Sequence, residues 1–338
     1  MCVCAFAKRT VSARYIPNRR VLEVFMNKSD KTVSMSVVVP AYNEKENISE
    51  AAKVFCGLFR GRMTFEVVFV DDGSKDGTWE EIELACAVYD EVRAVRFSRN
   101  FGKEAAIAAG LAEARGECVV VIDCDLQHPP EKILEMYDLW KQGYEVVEGV
   151  KTDRGKESAL HRLCAKTFYS VMGSLIGIDM SRASDFKLLD RRAVDVLLTM
   201  DEKDSFFRAL SSWIGFKTGS VEFEVRERAG GTTKWSAKSL TKYAINNITS
   251  FSGAPMVWAL TAGFIFASAA VIMAVTAIFK SGSAAGMLGI VAAQFFTSGV
   301  VLMFLGIIGY YISKMYNELK DRPKYIIAEK CGEKSNDR

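Results

Sequence analysis

The sequence predicts an α/β fold with a Rossmann-like, mainly parallel sheet, followed by a hairpin of two apolar helices. Within residues 36–150, short β-branched runs alternate with helical patterns, an order that is typical of parallel strands joined by crossover helices. Residues 256–279 and 281–313 contain no charged side chain. A helix of 24 residues is about 36 Å long, enough to cross the hydrocarbon core of a membrane.

The first half of the chain contains five predicted strands with four helices between them. The strands are predicted at residues 36–40, 65–71, 92–97, 118–123 and 144–150, and the helices at 43–60, 77–90, 103–115 and 131–142. Gly116 is a C-cap signal for the third helix, and Pro129 and Pro130 stop the fourth strand before the last helix begins.

The second half of the chain has a less regular pattern. It predicts helices at 156–176, 191–200 and 205–213, a short apolar segment at 184–189, an edge strand at 221–226 and a Gly/Thr loop at 229–236. Residues 237–252 repeat apolar side chains at helical spacing, with Lys238 and Lys242 on another face. This pattern predicts an amphipathic helix that lies in the membrane interface before the first apolar span.

Basic residues flank both apolar spans. Lys238 and Lys242 precede the first, whereas Lys314, Lys320, Arg322 and Lys324 follow the second. The positive-inside rule then places both flanks in the cytoplasm and a short outer loop near residues 281–286. We therefore expect a multi-pass protein of the inner membrane, with its α/β domain in the cytoplasm.

Charge and cysteine content exclude some classes of protein. The 44 basic and 41 acidic residues nearly balance, so the net charge of +3 does not indicate a nucleic-acid partner. The eight cysteines contain no CxxC pair and there are two histidines, so we expect no zinc site. Free thiols in a reducing compartment are expected, with Cys124 as a packing residue.

The sequence divides into five predicted regions. Residues 1–34 read as an extension that is disordered or precedes the true start at Met26 or Met35, and we expect activity without residues 1–25. The next regions are an α/β domain at 35–236 and the interface helix at 237–254. Two membrane helices at 255–313 and a cytoplasmic tail at 314–338 complete the prediction.

Polar clusters follow each of the first four strands. They read PAYNE from Pro40, DDGS from Asp71, RNFGK from Arg99, and DCD from Asp123. Because the carboxyl ends of parallel strands meet at one edge of a sheet, the clusters can converge on one crevice, where open α/β sheets bind ligands.

Asp123 and Asp125 form the most informative pair. Their i, i+2 spacing, if the strand continues through them, puts both carboxylates on one face. Two carboxylates held together repel unless a cation or proton neutralises them, and oxygen ligands suit Mg²⁺ or Mn²⁺. The sequence therefore predicts a divalent-cation site at this strand end.

The motifs VVVPAYNE, VDDGSKDGT, SRNFGKEAA and IDCDLQHPP resemble family 2 glycosyltransferases with the GT-A fold. The later segments SDFKLLDRR and RAGGTTKWS, with two apolar spans, are similar to polyprenyl-phosphate glycosyltransferases, the group of bactoprenol-phosphate glucosyltransferases and dolichol-phosphate mannosyltransferases. The resemblance extends over about residues 35–327.

The resemblance implies roles for the clusters. Asp72 matches the carboxylate that reads the base or ribose of a nucleotide-sugar, and Gln127 could add an oxygen ligand to the metal. The implied donor-nucleotide set is Pro40, Tyr42, Glu44, Asp71, Asp72, Arg99 and Lys103, and the implied Mg²⁺ or Mn²⁺ ligands are Asp123, Asp125 and Gln127.

The resemblance also implies an acceptor, polyprenyl phosphate. Asp185 matches the acidic residue of the family's DFR element and, with Asp125, is an implied catalytic carboxylate, while Lys187 stands where Arg is usual. Candidates for binding the lipid phosphate are Arg154, Arg162, Arg228, Thr233 and Lys234. A homo-oligomer is left open.

The donor and some rival functions stay open. Glucose from UDP-glucose is the first choice, and mannose from GDP-mannose is the alternative because His128 in LQHPP is familiar among mannosyl members. A processive polysaccharide synthase lacks support because there is no QxxRW element, and an oxidoreductase lacks it because no GxGxxG follows an early strand. The presence of Asp123, Asp125 and Asp185 argues against a non-catalytic membrane scaffold.

Overall fold

The computed structural model describes residues 33–152, 184–200, 206–224, 283–320 and 322–332, with 261, 263–266, 268 and 272. Its strands are β1 (Met35–Ala41), β2 (Phe65–Asp71), β3 (Val92–Phe97), β4 (Cys118–Val121), β5 (Val146–Lys151), β6 (Lys187–Asp190), β7 (Thr218–Phe223) and β8 (Ile327–Cys331). Its helices are α1 (Lys45–Phe59), α2 (Thr78–Val88), α3 (Lys103–Glu113), α4 (Lys132–Lys141), α5 (Arg191–Leu198), α6 (Phe207–Trp213) and α7 (Ser283–Leu319).

The eight described strands form one mixed, mostly parallel sheet in the order β7-β5-β6-β4-β1-β2-β3-β8. β1 pairs in parallel with β2 on one side and with β4 on the other, so the strand order reverses at β1. Ligands of open α/β sheets bind outside the carboxyl ends of the strands at such a reversal. The α/β class is confirmed, as is the edge position of the predicted strand near residue 221.

One connection differs from the simple parallel order. β6 lies between β4 and β5 and pairs antiparallel with both. β5 in turn pairs in parallel with the edge strand β7. The segment that the sequence presents only as short and apolar is therefore an internal strand of the sheet, next to the strand that leads to Asp123.

The core lies on both faces of the sheet. Every residue of β1, β2 and β4 is buried. Successive valines of β1 alternate between two clusters: Val37 packs with Phe55 of α1, whereas Val38 packs with Ile107 of α3. A Cβ atom at Gly110 of α3 would overlap the Val38 side chain, so this glycine permits close approach of the helix. Burial on both faces explains the continuous apolar runs of these strands.

Helix α7 has 37 residues and is about 55 Å long. Its segment Gly289–Tyr316 has a mean hydropathy of 2.1, and none of the side chains that the structure describes there is buried inside the protein. The helix continues past residue 313, where the sequence pattern predicts its end. Residues 256–279 lie mostly outside the described part, but the Phe266 ring lies 4.9 Å from that of Phe296 in α7. The two-helix hairpin stays a prediction.

The C-terminal segment, residues 322–332, returns to the α/β domain. The sequence predicts a tail here, but β8 pairs antiparallel with β3. The Tyr325 ring stacks on Phe97 with centroids 5.0 Å apart, and the Ser98 N–H donates to the carbonyl of Ile326 at 3.0 Å. Because eight peptide units span at most about 28 Å, this pairing holds the C-terminal end of α7 close to the sheet.

A disulfide joins Cys86 of α2 to Cys331 of β8. The expectation that the cysteines are free thiols is wrong for this pair, which is 245 residues apart in sequence and is brought together only by the β3–β8 pairing. Cys56, Cys118 and Cys124 are free and buried. The burial of Cys124 agrees with its predicted packing role.

Four predicted elements lie outside the described residues. They are residues 1–32 of the N-terminal extension, the helix at 156–176, the loop at 229–236 and the amphipathic helix at 237–252.

Candidate active site

The turns after β1 and β2 interlock at the carboxyl edge of the sheet. The Asn43 N–H donates to Ser74 Oγ at 2.9 Å, and the Lys75 N–H donates to Asn43 Oδ1 at 3.0 Å. Asn43 has φ 53°, in the left-handed region that asparagine tolerates. Pro40 is buried beneath this surface and Tyr42 is 40% exposed on it. The first two polar clusters therefore form one continuous surface.

Glu44 belongs to the same surface. Its N–H donates to Thr78 Oγ1 at 2.9 Å, and its carboxylate accepts from the Asn47 side chain at 2.6 Å. These bonds fix the start of α1 against the start of α2. The predicted contact of Pro40, Tyr42 and Glu44 with a nucleoside stays a prediction.

Asp71 and Asp72 are both buried, and burial raises the pKa of each carboxyl. Asp72 accepts from the N–H groups of Phe101 and Gly102 at 2.6 and 2.9 Å. Asp71 accepts from the Ser74 N–H at 3.0 Å and lies 3.3 Å from Arg96 Nε. Asp72 thus fixes the start of α3, a role that the turn motif does not reveal. Direct contact between Asp72 and a nucleoside is still a prediction.

The backbone of Gly73 lies against the loop after β3. A Cβ atom there would approach the Arg99 carbonyl carbon to 2.5 Å, and the residue has φ 67°. Both conditions require glycine. The exposed Arg99 side chain places its guanidinium 4.5 Å from the centre of the Phe101 ring. The second and third polar clusters are therefore in direct contact.

The strand β4 ends at Val121, so Asp123 and Asp125 lie in a turn. The expectation that both carboxylates share one strand face is wrong. The Ile122 N–H still donates to the Val38 carbonyl, but the chain then turns, and Leu126 has φ 55°. Asp125 accepts from the Gln127 N–H at 3.1 Å. The Gln127 side chain as a metal ligand stays a prediction.

Asp185 lies across from Asp123. The antiparallel pairing of β4 with β6 sets Val121 opposite Lys187. Continued for two residues beyond each strand end, this register sets Asp123 opposite Asp185. The Lys103 ammonium bridges the two carboxylates, at 2.7 Å from Asp123 Oδ1 and 2.9 Å from Asp185 Oδ2. Residues from three polar segments, far apart in sequence, therefore meet at one point.

Arg208 of α6 holds Asp185 by two bonds. Its Nε donates to Asp185 Oδ1 at 2.6 Å, and a terminal nitrogen donates to Oδ2 at 2.8 Å. Burial favours a raised pKa for Asp185, but Lys103 and Arg208 together hold that pKa well below its ordinary value. Burial likewise opposes the charge of Lys103, yet Asp123 and Asp185 raise the pKa of its amine. Asp185 is therefore a carboxylate and Lys103 an ammonium.

The buried Lys187, behind these residues, fastens α6 to the site. Lys187 is fully buried and donates to Glu148 at 2.5 Å and to Ser211 Oγ at 2.7 Å. Because Asp185 and Lys187 are two residues apart, both reach α6 from the same side of the chain. Lys187 therefore supports the site from inside the protein, although it stands where the resembled family has an arginine.

Glu104 follows Lys103 within the SRNFGKEAA motif, but the motif does not reveal its contact with the site. Its carboxylate accepts from the Phe207 N–H, at the start of α6, at 2.8 Å. Burial and, after it, the charge of Asp185 raise the pKa of Glu104 to about 7. Arg208 was missed as well. Its one sequence signal is a cation inside the apolar run from Phe206 to Leu210, which requires an acidic partner when it packs.

His128 packs between aromatic rings. Its ring centroid lies 5.3 Å from Phe186 and 5.2 Å from Phe223, and burial lowers its pKa. His128 is therefore a neutral residue that packs beside the Asp123 turn.

The predicted acceptor-binding residues are not described by the structure. They are Arg154, Arg162, Arg228, Thr233 and Lys234. Their role stays a prediction from the resemblance.

The residues of the Asp123 turn fit a divalent cation that takes some of its ligands from the substrate. Both Asp123 oxygens already contact a cation, the Lys103 ammonium, at 2.7 and 3.0 Å. Among the described residues, no three His, Cys, Asp or Glu side chains gather around one point. Mg²⁺ is commonly bound by one or two carboxylates plus substrate phosphates, so a small protein ligand set is sufficient.

The amino-acid sequence is similar to known glycosyltransferases. A family model described as "Glycosyl transferase family 2" matches residues 36–197. The chain is 38% identical over 306 residues to "Uncharacterized glycosyltransferase YkcC" of Bacillus subtilis, covering 89% of this chain and 95% of that protein. It is 36% identical over 305 residues to "Bactoprenol glucosyl transferase" of Shigella phage SfII, covering 88% and 98%.

Among solved structures, a glucosyl-3-phosphoglycerate synthase from Mycobacterium tuberculosis in complex with Mg²⁺ and UDP is 21% identical. The match covers 70% of this chain and 85% of that one, with a TM-score of 0.46.

Proposed function

The chain belongs to glycosyl transferase family 2, and from this premise we propose that it transfers a hexose from a nucleotide-sugar to polyprenyl phosphate at a membrane surface. One observation carries the proposal. Asp123 and Asp185 face each other at the strand-order reversal, and the C-terminal segment holds the end of the apolar helix α7 near the same sheet. A charged site next to a membrane-crossing helix suits a charged donor and a lipid acceptor.

The donor side of the site is the surface formed by the first three polar clusters. Its interlocked turns present Tyr42 and Arg99, while the Asp72 carboxylate holds the loop that carries Lys103. We propose UDP-glucose as the donor, since the phage SfII relative is named a glucosyl transferase. Asp123 and Asp125 would hold a divalent ion, which would neutralise charge on the departing nucleoside diphosphate.

The acceptor phosphate is already an anion, so it needs little help from a general base. The protein must instead position it and compensate its charge. Asp185, fixed by Arg208 and Lys103, is proposed to orient the reacting groups. Attack from the face opposite the leaving diphosphate inverts the anomeric centre. The acceptor phosphate is assigned to Arg154, Arg162, Arg228, Thr233 and Lys234 from the resemblance.

Helix α7 supports the proposed membrane location. Its 28-residue segment from Gly289 to Tyr316, in which Lys314 is the one charged residue, is long enough to cross a bilayer with tilt. Lys320, Arg322 and Lys324 follow it on the side of the α/β domain, which the positive-inside rule assigns to the cytoplasm. We propose that the reaction takes place on that side of the inner membrane, with a second span at 256–279.

A donor panel tests the function. Purified protein receives short polyprenyl phosphate, Mg²⁺, and labelled UDP-glucose, UDP-GlcNAc, UDP-galactose or GDP-mannose in parallel. We expect label from UDP-glucose in the lipid phase, loss of transfer with a chelator, and a product of opposite anomeric configuration by NMR. If only GDP-mannose gives labelled lipid, the donor is GDP-mannose and not UDP-glucose. If no donor gives a lipid product, the proposed function is refuted.

A further inference from the structure

The Lys103 ammonium contacts both oxygens of the Asp123 carboxylate. Its nitrogen lies 2.7 Å from Oδ1 and 3.0 Å from Oδ2. These oxygens are the atoms through which Asp123 would bind a metal ion. A divalent ion and the ammonium therefore compete for the same carboxylate, because two cations repel at such separations.

The two carboxylates depend on Lys103 to different degrees. Asp185 also receives a two-bond contact from Arg208, so it does not depend on Lys103 alone for a counter-ion. For Asp123, the ammonium of Lys103 is the cation in contact among the described residues. When the Lys103 ammonium moves away from Asp123, the Asp123 carboxylate therefore needs another cation to compensate its charge.

The Lys103 side chain can move while its backbone stays in place. The preceding N–H groups of Phe101 and Gly102 are held by the buried Asp72 carboxylate. The side chain is 42% exposed, and a lysine stem has four rotatable carbon bonds. Motion is thus confined to the side chain, which keeps Asp185 within its reach.

We propose that Lys103 is the resident counter-cation of Asp123, and that a divalent ion binds Asp123 by displacing the ammonium, which then remains on Asp185. Lys103 is thus a positioning residue that offsets the repulsion between the two carboxylates and holds them in place without metal. The inference rests on the metal-dependent function proposed above. It implies that the protein alone binds metal weakly and that donor phosphates complete the exchange.

Metal binding without donor tests the proposal. Free Mn²⁺ is measured by its EPR signal during titration of the full-length protein in uncharged detergent, for wild type, Lys103→Met, Lys103→Arg and Lys132→Met. We expect Lys103→Met to bind Mn²⁺ about tenfold more tightly, equivalent to about 1.4 kcal/mol. Lys103→Arg keeps the cation and should bind like wild type. Lys132→Met removes an ammonium that pairs with Glu135 on α4 and is the matched control.

The outcomes separate this inference from the proposed function. Unchanged or weaker Mn²⁺ binding by a folded Lys103→Met variant overturns it, and so does absence of Mn²⁺ binding in every variant. Tighter binding in Lys103→Arg as well would show that charge is not the competitor, which also overturns it. If Lys103→Met tightens binding while the donor panel gives no lipid product, the inference stands and the proposed function fails. Thermal unfolding confirms that each variant is folded.

Discussion

The contact between Arg208 and Asp185 gives the sharpest test of the site. Arg208→Met removes two charge-assisted hydrogen bonds, of 2.6 and 2.8 Å, from a carboxylate that is 11% exposed. Breaking a fully buried ion pair costs about 3–5 kcal/mol. Arg208 is 27% exposed and Lys103 still neutralises Asp185, so we expect Arg208→Met to lower the free energy of unfolding by about 2 kcal/mol. Because Asp185 is proposed to orient the reacting groups, we also expect its loss of this support to lower kcat/KM about thirtyfold.

The assay is steady-state transfer of labelled glucose from UDP-glucose to short polyprenyl phosphate. Arg192→Met is the matched control, because it breaks an ion pair with Glu145 in which the arginine side chain is 77% exposed. Arg208→Lys keeps the charge but not the paired geometry and should fall between the two. A folded Arg208→Met protein with kcat/KM within about twofold of wild type would show that Asp185 does not need this contact.

Three further predictions concern the metal, the pH dependence and the C-terminal segment. Asp125→Asn should abolish transfer, by at least about a hundredfold, while Tm is unchanged; normal turnover would refute its role. The pKa of Glu104 is raised from 4.5 in the unfolded chain to about 7, so the folded protein retains a proton that the unfolded chain releases, and stability falls as pH rises between these values. In Glu104→Gln, the decrease in Tm between pH 5 and pH 8 should be smaller than in wild type. An identical decrease in both proteins would contradict the assignment. Deleting residues 321–338 removes β8 and its disulfide, and should lower Tm by several degrees and weaken UDP binding in calorimetry; a truncated protein with wild-type values would show that the segment does not support the Arg99–Lys103 loop.

The central strands were predictable because they are buried on both faces. Continuous runs of valine mark β1, β2 and β4, and their ends carry the polar clusters. The edge elements were harder to predict. β8 is short and mostly exposed, so nothing in its sequence distinguishes it from a tail. Its place in the sheet depends on β3, which lies more than two hundred residues away.

The site shows the same division. Asp123, Asp185 and Lys103 are identified by motif, but the motif does not say that they touch. Arg208 belongs to no early motif, and Glu104 lies in SRNFGKEAA without any role that the motif reveals. Their contacts arise because α6 packs against the start of α3 and against the segment before β6. Side chains that act through tertiary packing have no local signal beyond a charge within an apolar run.

The sequence by itself determined the α/β class, the polar strand ends and the apolar C-terminal helix, because periodicity and strand-end chemistry are local properties. Only the tertiary structure decided that Asp123 lies in a turn, that it faces Asp185 through the β4–β6 register, and that Lys103 bridges the two. Register and strand order arise from contacts between distant segments. For that reason the sequence predicted the pair of Asp123 with Asp125, whereas the bridge of Lys103 between Asp123 and Asp185 is seen only in the tertiary structure.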